Sequence, residues 1–114
     1  MKIIYNKIIP FKGFTAINLF NVIFARKEYK DYIEDSYAGQ VVINHESIHT
    51  AQMRELLYIG FYIWYFIEWL ILLIKNIKHP NKAYYEIRFE KEAYNNEIDF
   101  NYLKTRKHYN WLNY

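Results

Sequence analysis

The chain has 114 residues, a formal net charge of +3 and an aromatic content of 21%. This length predicts a single domain, residues 1–114, with a modest core. The absence of cysteine excludes disulfides and thiolate metal sites, and so mild a charge gives no reason to expect a nucleic-acid partner. Residues 1–7 lack an uninterrupted apolar run and a cleavage site, so we expect no signal peptide and a cytoplasmic location.

The first elements along the chain are short strands. Residues 2–9 and 14–25 are rich in Ile, Phe and Val and are separated by Pro10 and Gly13, a pattern typical of strands joined by turns. They predict a β-hairpin or a small sheet. The charged residues 27–39 predict a surface loop or one helical turn.

The next element is a helix that carries the motif H-E-x-x-H. Apolar residues recur beside the motif, which predicts a helix over about 41–58. His45 and His49 are four residues apart, so they lie on one face of this helix and can bind the same metal ion. Glu46 is then close enough to take a proton from a water molecule bound to that metal.

The helix after the motif is strongly apolar and is expected over 61–76. It overlaps the run 56–74, in which Glu68 is the one charged residue. That run just reaches the length of a membrane-spanning helix. Its central charge and scattered Tyr and Trp residues instead favour a buried helix or one that lies against a bilayer. The expected location therefore includes a peripheral or integral association with the inner membrane.

A third helix is expected over 82–103, where helix-forming and charged residues follow a turn. Glu86 and Glu90 would share a face of this helix, since they are four residues apart. The predicted fold is therefore α+β, with strands and a loop in residues 1–40 and three helices in residues 41–114.

Sequence spacing alone does not identify the third protein ligand of a catalytic zinc site. Such sites have three protein ligands and one open position. His79 precedes a proline at a turn and His108 lies in the C-terminal tail, so a glutamate is the better candidate. Glu68 follows the second motif histidine after 18 residues, which resembles the H-E-x-x-H-x18-E spacing of aminopeptidase-type zinc enzymes. The candidates are therefore Glu68, Glu86 and Glu90.

Glu90 is favoured by a resemblance to gluzincin metallopeptidases. Residues 86–94 have the sequence EIRFEKEAY, in which Glu90 to Tyr94 resemble the E-x-x-A-D segment that supplies the third ligand in HtpX-type membrane proteases. They also resemble the E-x-x-C-D segment of the beta-lactam sensor peptidases, where an apolar, tryptophan-containing helix separates this glutamate from the H-E-x-x-H helix. Here 40 residues separate His49 from Glu90. The resemblance covers about residues 40–97 and implies a minimal zincin-like domain.

The chain is also similar to small proteins of Bacteroides-type bacteria that contain H-E-x-x-H-x-x-Q and a later F-E-x-E-A-Y. These motifs correspond here to His45–Gln52 and Phe89–Tyr94. The pattern departs from the protease families at Tyr94, where they have an aspartate that helps to orient a metal-ligating histidine. A phenol can form a hydrogen bond there, but it does not supply the same negative charge.

The motifs together predict a zinc-dependent metallohydrolase, and most specifically a peptidase. Zinc is expected on His45, His49 and Glu90, with Glu46 as the general base. Gln52 is expected to contact the substrate, to hold a ligand or to be a plain polar helix residue, and an edge strand from residues 14–25 could align a peptide. The candidate donors to a developing oxyanion are Tyr84, Tyr85, Arg88 and Tyr94.

The alternative is a non-catalytic module that binds a metal or a partner through its aromatic surface. The expected partners are a peptide or protein substrate and, as further candidates, a membrane surface or a second copy of the chain. Lys104, Arg106, Lys107 and His108 alternate with aromatic residues in a tail that predicts a solvated helix end. Solvation with pairing between neighbours is likewise the simplest expectation for the charges of residues 86–92.

Overall fold

The computed structural model describes residues 2–114 and shows an α+β fold, with a three-stranded sheet followed by helices. The strands are β1 (Lys2–Asn6), β2 (Ala16–Leu19) and β3 (Val22–Arg26), arranged in the order β1-β3-β2. β1 pairs with β3 in parallel, and β2 pairs with β3 in antiparallel orientation. The predicted α+β class is confirmed, although the strands are shorter than the predicted ranges.

The β2–β3 hairpin attaches the sheet to the motif helix. Its two turn residues, Phe20 and Asn21, have φ values of 51° and 70°, as in the type I′ turns that match the twist of a hairpin. Asn18 of β2 is buried, and its Nδ2 donates to the carbonyl oxygen of Glu46 and to Oγ1 of Thr50, both at 2.7 Å. The edge strand β2 therefore lies directly beside the motif.

Residues 27–39 were predicted as a surface loop or one helical turn, and the segment contains more helix than that. It contains a 3₁₀ turn (Lys27–Tyr29), α1 (Lys30–Asp35) and the start of α2 (Tyr37–Glu55). Ser36 caps α2, since its Oγ accepts from the backbone N–H of Gly39 at 3.0 Å. A Cβ on Gly39 would collide with the backbone carbonyl oxygen of Tyr32 in α1. This glycine therefore serves close helix packing and does not end a loop.

α3 (Ile59–Lys75) follows α2 after a sharp turn, in which Leu57 and Tyr58 have φ values of 55° and 63°. The axes of α2 and α3 differ in direction by 108°. Within residues 2–114, no single helix is long and apolar enough to cross a membrane. The bent pair of α2 and α3 meets that requirement jointly, by length and composition.

The predicted helix over 82–103 is divided into shorter segments. The structure has α4 (Pro80–Glu86), α5 (Arg88–Asn96), α6 (Tyr102–Thr105) and a final 3₁₀ turn (Asn110–Asn113). Ile87 separates α4 from α5 with an extended ψ of 131°, and its side chain is fully buried. Glu86 and Glu90 consequently do not share a helix face, and Glu86 lies beside Lys82 and Asn76.

The main apolar core lies between α2, α3, α5 and the C-terminal 3₁₀ turn. It contains Met53, Phe61, Ile87, Phe89 and Trp111. Burial of Ile87 in this cluster explains the helix break, because an extended residue here directs its side chain into the core. Trp111 belongs to the tail, so the prediction of a solvated C-terminal end is wrong for this residue. A smaller cluster of Ile48, Ala93 and Tyr102 joins α2 to α5 and α6.

Candidate metal centre

Three buried side chains bring one ligand atom each to a common point. His45 and His49 lie on one face of α2, and Glu90 lies in the first turn of α5. The two histidine Nε2 atoms are 3.1 Å apart, and Oε1 of Glu90 is 3.1 and 3.2 Å from them. A tetrahedral ion with bonds of about 2.0–2.1 Å separates its ligands by about 3.3–3.4 Å. The His-His-Glu group could therefore hold a metal ion with only small adjustments.

Carboxylate and phenol groups orient two of these ligands. Nδ1–H of His45 donates to Oε2 of Glu97 at 2.7 Å, and the hydroxyl of Tyr65 donates to Oε2 of Glu90 at 2.7 Å. His45 consequently presents its Nε2 lone pair, and Glu90 presents Oε1, to the centre of the cluster. Such outer partners orient metal ligands and raise ligand basicity.

Gln52 orients the third ligand, and its own orientation is determined by its partners. Its Nε2 donates to the carbonyl oxygen of Phe89 at 3.0 Å and to Oε1 of Glu92 at 2.9 Å. Because both partners are acceptors, the amide oxygen must face Nδ1 of His49, 2.8 Å away. Nδ1 of His49 therefore carries a proton, and Nε2 is the ring nitrogen that faces His45 and Glu90. Of the alternatives open for Gln52, the structure supports holding a ligand.

A buried ionic network extends from Gln52 to the C-terminal segment. Glu92 accepts from Nε of Arg106 at 2.7 Å and from the hydroxyl of Tyr102. Arg106 also binds both carboxylate oxygens of Glu55, at 2.9 and 3.1 Å. The side chains of Glu92, Glu55 and Arg106 are only 0, 5 and 5% exposed. Solvation is therefore the wrong expectation for Glu92 and Glu90 of α5 and for Arg106 of the tail.

Opposite charges determine the protonation of the cluster. Burial acts to lower the pKa of His49, but the carboxylate of Glu90 outweighs this and raises it to about 10. Burial likewise acts to raise the pKa of Glu90, and His49 and His45 hold it well below its usual range. The cluster therefore holds a proton that a metal cation would displace on binding.

Glu46 is not one of the three converging residues, but it lines an adjoining cavity of about 500 Å³ together with His49 and Glu90. Its Oε2 is buried and has no hydrogen-bond partner among residues 2–114. Burial raises the pKa of Glu46, and the neighbouring His49 offsets only part of the rise. A carboxylate with a raised pKa and a free oxygen is suited to accepting and returning a proton.

Several residues considered as site residues lie elsewhere. Glu68 is not in the cluster, since its Oε1 lies 3.4 Å from Nε of Arg88. That ion pair also removes Arg88 from the candidate oxyanion donors. Tyr94 packs its ring on His45, with centroids 4.5 Å apart, and Tyr85 packs on Tyr94. Of the four candidate donors, Tyr84 lines the cavity beside Glu46.

Glu97 and Tyr65 are site residues that sequence reasoning missed. Glu97 follows Glu90 by seven residues, or about two helical turns, so helical periodicity could have indicated that both face the motif. Tyr65 lies three residues before Glu68 on α3. No sequence pattern distinguishes it from the other tyrosines of that helix.

Comparisons of this chain with protein-family models, with curated proteins and with solved structures found no match. The resemblance to the gluzincins therefore stays a prediction. The distances and contacts of its own residues therefore carry any conclusion about the chemistry of the site.

Proposed function

We propose that this chain is a zinc-dependent peptidase in which His45, His49 and Glu90 hold the metal and Glu46 is the general base. The observation that carries the proposal is the convergence of three ligand atoms to within 3.2 Å beside the free, buried carboxylate of Glu46. A merely structural metal site does not require a further acidic group that lines a cavity beside the ligands.

The donor set supports zinc. Two imidazole nitrogens and one carboxylate oxygen are a ligand set found in catalytic zinc sites that keep a fourth position open. Oxygen-preferring ions such as Mg²⁺ and Ca²⁺ rarely bind through two histidines. The three outer partners Glu97, Gln52 and Tyr65 add the hydrogen bonds expected around such ligands.

Separate groups polarise the carbonyl, transfer the proton and donate to the oxyanion during amide hydrolysis. When bound, zinc supplies Lewis acidity, which acidifies water and polarises a carbonyl group. Glu46 accepts the proton of the attacking water at its free Oε2 and passes it to the leaving amine nitrogen. Tyr84 keeps its proton, because burial and then the charge of Glu90 raise its pKa. Its hydroxyl is therefore available as a donor to the oxyanion.

The proposed metal site predicts about one zinc per chain in the wild type. His45→Ala should reduce the zinc content to background, and Glu90→Gln should weaken binding by removing the anionic ligand. Glu68→Gln is the matched control, because it alters a partly buried glutamate that pairs with Arg88 outside the cluster. Mass spectrometry of metal content after incubation with zinc and desalting measures all four proteins. A wild type without zinc, or equal losses in Glu90→Gln and Glu68→Gln, would contradict the assignment.

Glu97 is predicted to strengthen zinc binding although it does not contact the ion. Glu97→Leu removes the acceptor that holds Nδ1–H of His45, so we expect zinc affinity to fall by about 10–100-fold. Glu97→Gln keeps an acceptor and should lie between this variant and the wild type. Competition with a chromophoric chelator gives the dissociation constants. Glu86→Gln, on α4 and away from both histidines, should leave the affinity unchanged.

The alternative of a non-catalytic binding module has one supporting observation. The outer face of α3 exposes apolar side chains that no other part of residues 2–114 covers: Ile63, Phe66, Ile67, Ile71 and Ile74. A surface of this kind suits a protein partner, a second copy or a membrane. Under this alternative, Glu46→Gln would leave partner binding and metal content unchanged, because no function would depend on proton transfer.

A further inference from the structure

The cavity beside the His-His-Glu group has a lining of two chemically different kinds. Glu46, His49 and Glu90 contribute ionisable groups. Most of the remaining lining residues come from the segment between β1 and β2, from β2 itself and from the N-terminal half of α3. The apolar lining includes Ile8, Ile9, Phe11, Phe14, Ile17 and Phe61. The volume of about 500 Å³ falls within the range of sites that enclose small molecules.

The segment between β1 and β2 exposes its apolar side chains at the cavity mouth. Ile8, Phe11 and Phe14 are 77, 81 and 61% exposed, and all three line the cavity. The free energy falls when a ligand covers exposed apolar surface and removes it from water. These residues are therefore available to a ligand and are not part of the core.

The charged groups that line the cavity are Glu46 and two members of the His-His-Glu group. Among the described lining residues, Glu46, His49 and Glu90 are the ionisable acids and bases apart from tyrosines, and lysine and arginine do not occur. A charged or amide side chain placed against the apolar lining would lose its hydration without gaining a partner. The cavity therefore discriminates against polar side chains.

We propose that this cavity binds large apolar side chains, aromatic or branched aliphatic, next to the peptide bond presented to Glu46. The preferred substrates are accordingly peptides with a bulky apolar residue next to the scissile bond. This inference rests on the proposed peptidase function, because it names the substrate class of the same site.

Binding and cleavage are measured separately so that the two proposals can fail separately. The binding probe is fluorescein-labelled Ala-Ala-Phe-Leu-Ala-Ala, compared with Ala-Ala-Ser-Asn-Ala-Ala, on zinc-treated Glu46→Gln protein. We expect the apolar peptide to bind at least about tenfold more tightly, since a single methylene group in an apolar pocket changes discrimination by about 10–200-fold. Fluorescence anisotropy gives both dissociation constants. Equal affinities, or no binding of either peptide, would overturn the cavity assignment.

Phe11→Ser and Ile77→Ser provide a matched pair of cavity and control variants. The two side chains are 81 and 77% exposed, but Phe11 lines the cavity and Ile77 lies beyond the end of α3. Both substitutions should therefore leave folding intact. In the Glu46→Gln background, we expect Phe11→Ser to weaken binding of the apolar peptide on the order of fivefold. Ile77→Ser should not change it, and equal weakening by both variants would overturn the proposal.

Cleavage of both peptides by the wild type distinguishes the remaining outcomes. Preferential cleavage of the apolar peptide supports the cavity assignment together with the peptidase function. Equal rates for both peptides would contradict the cavity assignment and leave the peptidase function standing. Tight, Phe11-dependent binding without cleavage of either peptide would support the cavity assignment and contradict the reaction.

Discussion

Glu46→Gln is expected to lower peptide hydrolysis by about 10²–10⁴-fold, the usual contribution of a positioned general base. The substitution keeps the shape of the side chain and removes its ability to accept a proton. Zinc content should stay at the wild-type value, because Glu46 is not one of the three converging ligands. Hydrolysis of quenched fluorescent peptides and metal analysis on the same samples provide the two measurements.

A second glutamine variant controls for the loss of a negative charge. Glu68→Gln changes a carboxylate of α3 that is paired with Arg88 and lies outside the cluster. It should retain wild-type hydrolysis. Equal activity in Glu46→Gln and the wild type would exclude the proposed base. Loss of zinc from Glu46→Gln would instead show that this residue acts on metal binding.

The shared position of the two histidines could be predicted because its determinants are local. Helical periodicity alone places His45 and His49 on one face, whatever the rest of the fold does. The third ligand is not local, and spacing left Glu68, Glu86 and Glu90 open. The flanking E-x-x-A pattern favoured Glu90, which the structure places against both histidines.

Tertiary packing determines the parts of the fold that sequence periodicity did not predict. The residues around Ile87 are good helix formers, but this side chain is buried in the core and its backbone is extended. The resulting break separates Glu86 from Glu90. Gly39 similarly suggested the end of a loop, and it instead permits close packing of α1 against α2. Local helix propensity gives no information about either of these tertiary contacts.

The groups that orient the ligands depend on contacts that are distant in sequence. Glu97 lies 52 residues from His45, and Glu92 lies 40 residues from Gln52. A carboxylate on a charged helix is usually solvated, so sequence patterns cannot distinguish Glu92 from an exposed neighbour such as Lys91. The carboxylate of Glu97 gives His45 the negatively charged partner that the phenol of Tyr94 does not provide. Only the packing of α5 against α2 brings this carboxylate to the histidine.

Arg106→Met is expected to destabilise the fold by about 3–5 kcal/mol, the usual cost of removing one partner from a buried ionic network. The variant would leave the carboxylates of Glu55 and Glu92 buried without their shared cation. Methionine replaces much of the side-chain volume, so the loss should come from charge and hydrogen bonding more than from a cavity. Urea unfolding in the presence of a chelator measures the free energy of unfolding without a contribution from bound metal.

Lys107→Met is the control, because it removes a neighbouring positive charge from an exposed side chain. Its free energy of unfolding should stay within about 0.5 kcal/mol of the wild type. Small domains have a total stability of about 5–15 kcal/mol, so the loss expected for Arg106→Met is a large fraction of the whole. A change below about 1 kcal/mol would mean that water replaces the guanidinium and that the network is not closed to solvent. The large loss would instead show that Arg106 holds the C-terminal segment to Glu55 and Glu92 in a network closed to solvent, next to the Gln52 that contacts His49.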